Sequence, residues 1–206
     1  MSSDPVEMQR RRFLQSAAGL AIGQIALDAV SAFANEPNQP PSKETKAVGA
    51  TVGKTPGKPG DFNFLAGSWK ISHRQLKKPG TDEWDLFQGE ATCWTILGGV
   101  GSIEELRIPA RNFSGLGLRL LDVDNKVWYD YWVNARSGVL TPPGMPGSFE
   151  NGAGIFIADD VDGDTPIKVR GVWDRITPTS CRWHQAISRD GGKSWEENWF
   201  MDWTRV

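Results

Sequence analysis

The chain is short of the residues that build several kinds of site. Its 206 residues include only two cysteines, Cys93 and Cys181, and two histidines, His73 and His184. No C-x-x-C pair and no Cys/His ligand spacing occurs, so neither a structural zinc nor any other metal centre is expected. Two cysteines are also too few for a disulfide scaffold, although a single Cys93–Cys181 bridge stays open, because sequence spacing says nothing of spatial distance. There is no basic excess: 23 Lys and Arg face 25 Asp and Glu, for a formal charge of -2. Nucleic acid, whose binding needs a cationic surface to displace counterions, is therefore not an expected partner. Ser102, Ser114 and Ser137 lack a nucleophile-elbow pattern, which removes support for a serine hydrolase. No internal repeat of fixed period is present, and no segment after Gly60 shows a long apolar run at helical period.

The N-terminal segment "QRRRFLQSAAGLAIGQIALDAVSAFA" carries Arg10, Arg11 and Arg12 followed by Phe13, Leu14 and Gln15, and so resembles a twin-arginine export signal. The apolar stretch Ala17 to Leu27 is softened by Gly19, Gly23 and Gln24 and is interrupted by Asp28. It falls short of the ~20 apolar residues that a membrane-spanning helix needs. The segment ends in Ala32-Phe33-Ala34, an A-x-A cleavage pattern. Residues 1–34 are thus expected to be a signal peptide, read by the twin-arginine translocation machinery, with a periplasmic or secreted product and no stable membrane anchor. Residues 35–60, rich in Pro, Gly, Lys and small polar side chains, read as a disordered tether. Asp61 to Val206 then form one domain with one core.

Within that domain short alternating segments follow one another, separated by Gly, Pro and Asp: "GSWKISHRQL", "WDLFQGEATCWTIL", "VGSIEELRI", "GLGLRLLDV", "KVWYDYWVN", "GIFIAD", "PIKVRGVWD", "CRWHQAIS" and "WEENWFMDWT". The pattern predicts an all-β fold of antiparallel strands joined mostly by short turns. So many strands must hide their edges, by closing into a barrel or by stacking as a sandwich. The last segment raises a question of period, because Trp195, Trp199 and Trp203 share one stripe of a helix and one face of a strand alike. Ser194 and Glu197 even form a capping-box pattern. The dense aromatics and the preceding "RDGG" turn favour a strand. Ser188 to Trp195, "SRDGGKSW", also resembles the Asp-box hairpin of several unrelated β proteins.

Three stretches, "FNFLAGSWKISHR" with Phe64, Gly67 and Trp69, "LRLLDVDNKVWYDYWV" in mid-chain and the closing "SRDGGKSWEENW", together resemble a bacterial lipocalin-like (calycin) β-barrel family of unknown function. The resemblance covers nearly all of Asp61 to Trp203. It implies an antiparallel up-and-down lipocalin-like barrel of about ten strands with an internal cavity, and it supplies no substrate. Haem-binding nitrobindin-like barrels share the G-x-W opening and place an axial His near the C-terminal end.

With Trp69 pointing inward, alternation puts Ile71, His73 and Gln75 on the same inner face. In "CRWHQAIS" it puts Cys181, Trp183, Gln185 and Ile187 inside and His184 outside. In the last strand the apolar set is Trp195, Trp199, Met201 and Trp203, with Glu197 in phase. The inward polar residues His73, Gln185 and Glu197 need partners, since an unpartnered buried polar group costs a few kcal/mol. A first strand paired with a last one would bring the His73 imidazole and the Glu197 carboxylate onto neighbouring strands.

Two readings follow. One is a satisfied core network; the other is a ligand anchor or acid/base pair in an aromatic pocket walled by Trp69, Trp183 and Trp199. Glu104, Glu105 and Asp130 are further pocket candidates whose inward member alternation does not choose. The leading expectation is an exported barrel that binds a small apolar or aromatic molecule, with His73, Gln185 and Glu197 orienting its polar end and no cofactor. A lyase or isomerase with His73 as catalytic acid/base and Glu197 fixing its tautomer is the first alternative. A haem carrier is the second, with His73 as its only inward axial ligand.

Overall fold

A computed structural model describes residues 55–206. The signal segment and the tether up to residue 54 lie outside the described residues. Ten strands follow in chain order: β1 (Gly67–Leu76), β2 (Trp84–Ile96), β3 (Gly101–Ile108), β4 (Phe113–Asp122), β5 (Val127–Asn134), β6 (Met145–Glu150), β7 (Ala153–Asp162), β8 (Thr165–Asp174), β9 (Ser180–Ser188) and β10 (Glu196–Arg205). Each pairs antiparallel with its neighbours in sequence, and β1 closes on β10. The result is an up-and-down barrel with no free edge among these strands, the closed solution to many short alternating segments. Helix among the described residues is confined to 3-10 turns at Asn63–Leu65, Leu97–Gly99 and Pro109–Arg111.

Alternation sets the faces as read in β1, where Trp69, Ile71 and His73 are buried and Lys70, Ser72 and Arg74 are exposed. It fails in β10. A register shift between Glu197 and Trp199 leaves both Asn198 and Trp199 opposite Gln185, a bulge that reverses the phase upstream of it. Trp199, Met201 and Trp203 stay inside, whereas Glu197 turns to the outer face beside His184, and Arg170 lies over the Trp195 ring at 4.4 Å. The stripe of three tryptophans is therefore split, with Trp195 outside.

One end of the barrel is plugged by the chain that precedes β1. Residues 57–60 belong to this plug and not to a free tether, because the Gly57 N–H donates to the Lys126 carbonyl and the Gly60 N–H to the Gly99 carbonyl. Phe62 packs edge-on against Trp128 and Phe149, with ring centroids 5.0 and 4.9 Å away. The Trp69 indole N–H donates to the Leu65 carbonyl at 2.7 Å, and that of Trp128 to Asp61 Oδ2 at 3.1 Å. Arg205 completes the closure: its guanidinium lies 4.2 Å over the Trp69 ring and donates to the carbonyls of Phe64, Ala66 and Pro178. This explains the glycine of G-x-W physically. Gly67 has φ +126°, and a Cβ there would lie 2.5 Å from Arg205 Nη1.

The "SRDGG" turn forms as an Asp-box. Asp190 Oδ1 accepts from the backbone N–H groups of Lys193 and Ser194 and from the Ser188 hydroxyl, while Oδ2 accepts from the Ser194 hydroxyl. These bonds, those from Ser194 foremost, hold its carboxyl well below the usual range.

Candidate functional site

Beside the plug the barrel interior holds a cavity of about 80 Å3. A single water needs roughly 10–15 Å3, so several waters or a small organic molecule fit. Trp173 of β8, Trp183 of β9, and Trp199 and Trp203 of β10 form much of the wall. Trp183 and Trp199 meet edge to face at 5.9 Å, and Trp173 and Trp203 are 5.4 Å apart. Met145 and Met201 also line it.

The polar wall is built by three adjacent strands. Arg119 of β4 stands opposite Asp130 of β5, and Glu104 of β3 stands opposite Gly117 of β4. Arg119 Nη2 donates to Glu104 Oε2 at 2.5 Å, and its Nε lies 3.3 Å from Asp130 Oδ1 as an ion pair. The Arg119 and Glu104 side chains are 5% and 4% exposed, so this pair is removed from bulk water. Gly117 leaves the space: a Cβ there would lie 2.9 Å from Arg119 Nη2 and 3.2 Å from Glu104 Oε2. Burial works against the Arg119 charge, but the two carboxylates outweigh it and raise its pKa. Burial pushes Asp130 up to about 6, with Arg119 pulling down and Glu104 pushing further up. Asp130 thus titrates near neutrality inside an aromatic cavity.

Arg119 Nη1, Trp173 Nε1 and Trp203 Nε1 are buried without a hydrogen-bond partner, while Arg119 Nε has its ion pair with Asp130. Each such group costs ~1–3 kcal/mol when left unpaired.

The residues named from sequence fall into three sets. Glu104, Asp130, Trp183, Gln185 and Trp199 line the cavity; the Gln185 amide donates to Asn198 Oδ1 at 3.1 Å. Trp69 and His73 are inside the barrel but not on that wall. Trp69 belongs to the plugged end. His73 stacks on Phe87 with ring centroids 4.4 Å apart, and its Nδ1 accepts the Trp199 indole N–H at 3.2 Å. That bond puts the imidazole proton on Nε2. Burial, aided by Arg111, lowers the His73 pKa to about 3, so the ring is neutral at physiological pH and is a weak base.

Glu105 and Glu197 form the third set, on the outer face. Glu105 accepts from Arg107 at 3.0 Å and is half exposed. Glu197 meets a histidine, but the outer one: His184 Nδ1–H donates to its Oε2 at 2.7 Å, and Arg170 donates to Oε1 at 2.9 Å. Burial acts to raise the Glu197 pKa, and these two partners more than offset it, leaving it lowered. His73 and Glu197 therefore do not form a pair, because the β10 bulge turns the carboxylate outward. His184 is outside, as alternation placed it. With His184 outside and His73 off the cavity wall and bonded to Trp199, the residues present do not fit an axial haem ligand.

Sequence reasoning missed Arg119, the centre of the polar wall. The signal was available in "GLGLRLL": Gly115, Gly117, Arg119 and Leu121 share the buried face of β4, and the inward glycine at 117 leaves room for the charged side chain two residues on, while the space at Gly115 is filled by the Trp132 ring. Cys93 and Cys181 are free and buried in the core. Burial pushes both thiols up, Cys181 to about 12, and a neutral thiol is a poor nucleophile.

No family model matches the chain, and no curated protein matches it. Among solved structures it is similar to a protein of unknown function from the DUF3598 family of Nostoc punctiforme, with 15% identity and a TM-score of 0.40, over 74% of this chain and 53% of that one. The chain thus spans about half the length of that protein. The strand order itself fits a calycin-like fold, a ten-strand antiparallel barrel whose buried aromatic cluster is compatible with ligand binding.

Proposed function

We propose that this protein is an exported, lipocalin-like carrier or sensor of a small, largely apolar or aromatic molecule, held in the cavity walled by Trp173, Trp183, Trp199 and Trp203. One observation carries the reading: a mostly apolar, aromatic cavity is lined by a few buried polar side chains, the Glu104–Arg119–Asp130 cluster and Gln185. Indole faces supply contact area at little conformational cost, and a few fixed polar groups orient the guest, which is the usual composition of a small-molecule site. The twin-arginine pattern at Arg10 and Arg11 supports export before function. A second reading, turnover of the guest, rests on Asp130 and not on His73. A carboxyl near 6 in a partly dry site suits general acid/base work at neutral pH, whereas a histidine near 3 does not.

The test is native mass spectrometry of protein purified from its own cell, followed by denaturation and identification of released small molecules. A retained aromatic compound whose return to the emptied protein shifts tryptophan emission is the expected result. Protein that carries no small molecule, and whose emission no aromatic compound alters, would refute the reading.

A further inference from the structure

Building on the cavity reading above, we propose that the guest is a small aromatic molecule carrying one positive charge, of the arylalkylamine class, and that Asp130 is the counter-ion of its ammonium group.

Charge does not balance on the cavity wall. Two carboxylates, Glu104 and Asp130, share the one guanidinium of Arg119, and they share it unequally. Glu104 Oε2 accepts from Arg119 Nη2 at 2.5 Å, and the two side chains are 4% and 5% exposed, so this pair is closed on itself. Asp130 Oδ1 lies farther off, 3.3 Å from Arg119 Nε, and the Asp130 side chain lines the cavity with 20% of its surface accessible. Glu104 takes up the Arg119 charge. Asp130 is the carboxylate left over.

No second cation serves it from the surrounding wall. Asp130 stands opposite Arg119 of β4 on one side and Met145 of β6 on the other. The lining from β8, β9 and β10 is uncharged: four indoles, Gly171, Met201 and the Gln185 amide. Tyr131 and Trp132 complete it, so Arg119 is the sole cation among the described lining residues. Asp130 records the imbalance: burial raises its pKa to about 6 and Glu104 pushes the same way, while Arg119 opposes both without cancelling them.

At pH 7.5 the ionised Asp130 carboxylate is poorly screened, and an opposite charge brought to it is worth more than in water. An anionic guest would add a third negative charge beside two carboxylates. A wholly apolar guest would strip water from Asp130 and leave its charge uncompensated, and a neutral hydroxyl would donate to it without balancing that charge. A cation does balance it. Indole is also the best side-chain ring for holding an organic cation, so the same four tryptophans suit both the ammonium group and the ring that carries it.

Titration calorimetry on the mature protein at pH 7.5 tests this with four single-ring probes: benzylamine, benzyl alcohol, ethylbenzene and benzoate. Benzylamine is expected to bind about tenfold or more tightly than each of the others. It stays protonated between pH 7.5 and pH 5, whereas Asp130 gains a proton, so its affinity should fall about tenfold over that interval while that of ethylbenzene stays constant. Asp130→Asn, which keeps the size of the side chain, should weaken benzylamine about tenfold or more, abolish its pH dependence and leave ethylbenzene unchanged. The pH series uses the parent protein and therefore decides the matter even where the variant does not fold. Benzyl alcohol, ethylbenzene or benzoate binding as tightly as benzylamine would overturn the inference and leave the cavity a small-molecule site. So would a benzylamine preference that survives Asp130→Asn or does not change with pH, because the cation would then be held elsewhere. If none of the four binds to protein with intact near-UV circular dichroism, the cavity reading falls and this inference falls with it.

Discussion

Replacing Asp130 with Asn should change how stability depends on pH. In the folded protein burial raises the Asp130 pKa from 3.8 to about 6. The native state therefore holds this proton more tightly than the unfolded chain does, and stability from that source is fully present below 3.8. It is lost as pH rises through 6. A difference of about two pKa units corresponds to about 3 kcal/mol in all, of which about 2 kcal/mol is lost between pH 4.5 and 7.5. Asparagine cannot titrate, so the stability of the variant relative to the parent should improve by about 2 kcal/mol over that interval, whatever the offset at either end. Urea denaturation of the mature protein at a series of pH values reads this directly. With an m value of ~1–3 kcal/mol per molar, the difference between the two midpoints should move by about 1 M. Taking the difference between parent and variant cancels the other titrating groups, such as Glu197. Parallel stability curves would refute the reasoning and mean that Asp130 is ionised in the fold as freely as in water. A relative change of the opposite sign would mean that the Arg119 ion pair outweighs burial.

Arg119→Met should destabilise by about 3–5 kcal/mol, because it leaves the Glu104 carboxylate buried without its cation; adding Glu104→Gln should recover part of the loss, and thermal melts of the single and double variants check both. Glu197→Gln should leave the cavity untouched and destabilise by about 1 kcal/mol at neutral pH, an effect that fades as pH falls below the ordinary glutamate value, since a lowered pKa contributes stability only above it. Its denaturation curves at pH 7 and pH 3 read the outcome, and a loss that grows on acidification would contradict the outer His184–Glu197–Arg170 contact. Replacing Arg10, Arg11 and Arg12 together with Lys should trap the precursor in the cytoplasm, and unimpaired delivery in fractionated cells would remove the case for twin-arginine export.

Local rules carried the reading of strands with a strict period of two. Trp69, Ile71 and His73 alternate cleanly with Lys70, Ser72 and Arg74, so their faces follow from sequence alone, and the same holds for Trp183 and Gln185 in β9. The short strand β6, "MPGSFE", was not legible, because Pro146 and Gly147 interrupt any alternation and its pairing with β5 covers only three positions. Glu104 and Asp130 were visible as candidates but not as neighbours, since they lie on strands that flank β4 and meet only through Arg119.

What the sequence by itself determined is the all-β class, the meander of alternating strands and the inward placement of Trp69, Trp183, Trp199 and Trp203, because these depend on spacing along one chain. The barrel's closure of β1 on β10, the plug that uses residues 57–60, and the identity of the buried charged group were decided by tertiary structure. So was the outward turn of Glu197. One extra residue at the β10 bulge reversed the faces of Trp195 and Glu197, and a bulge is defined by the partner strand against which it is counted, so no pattern within β10 records it.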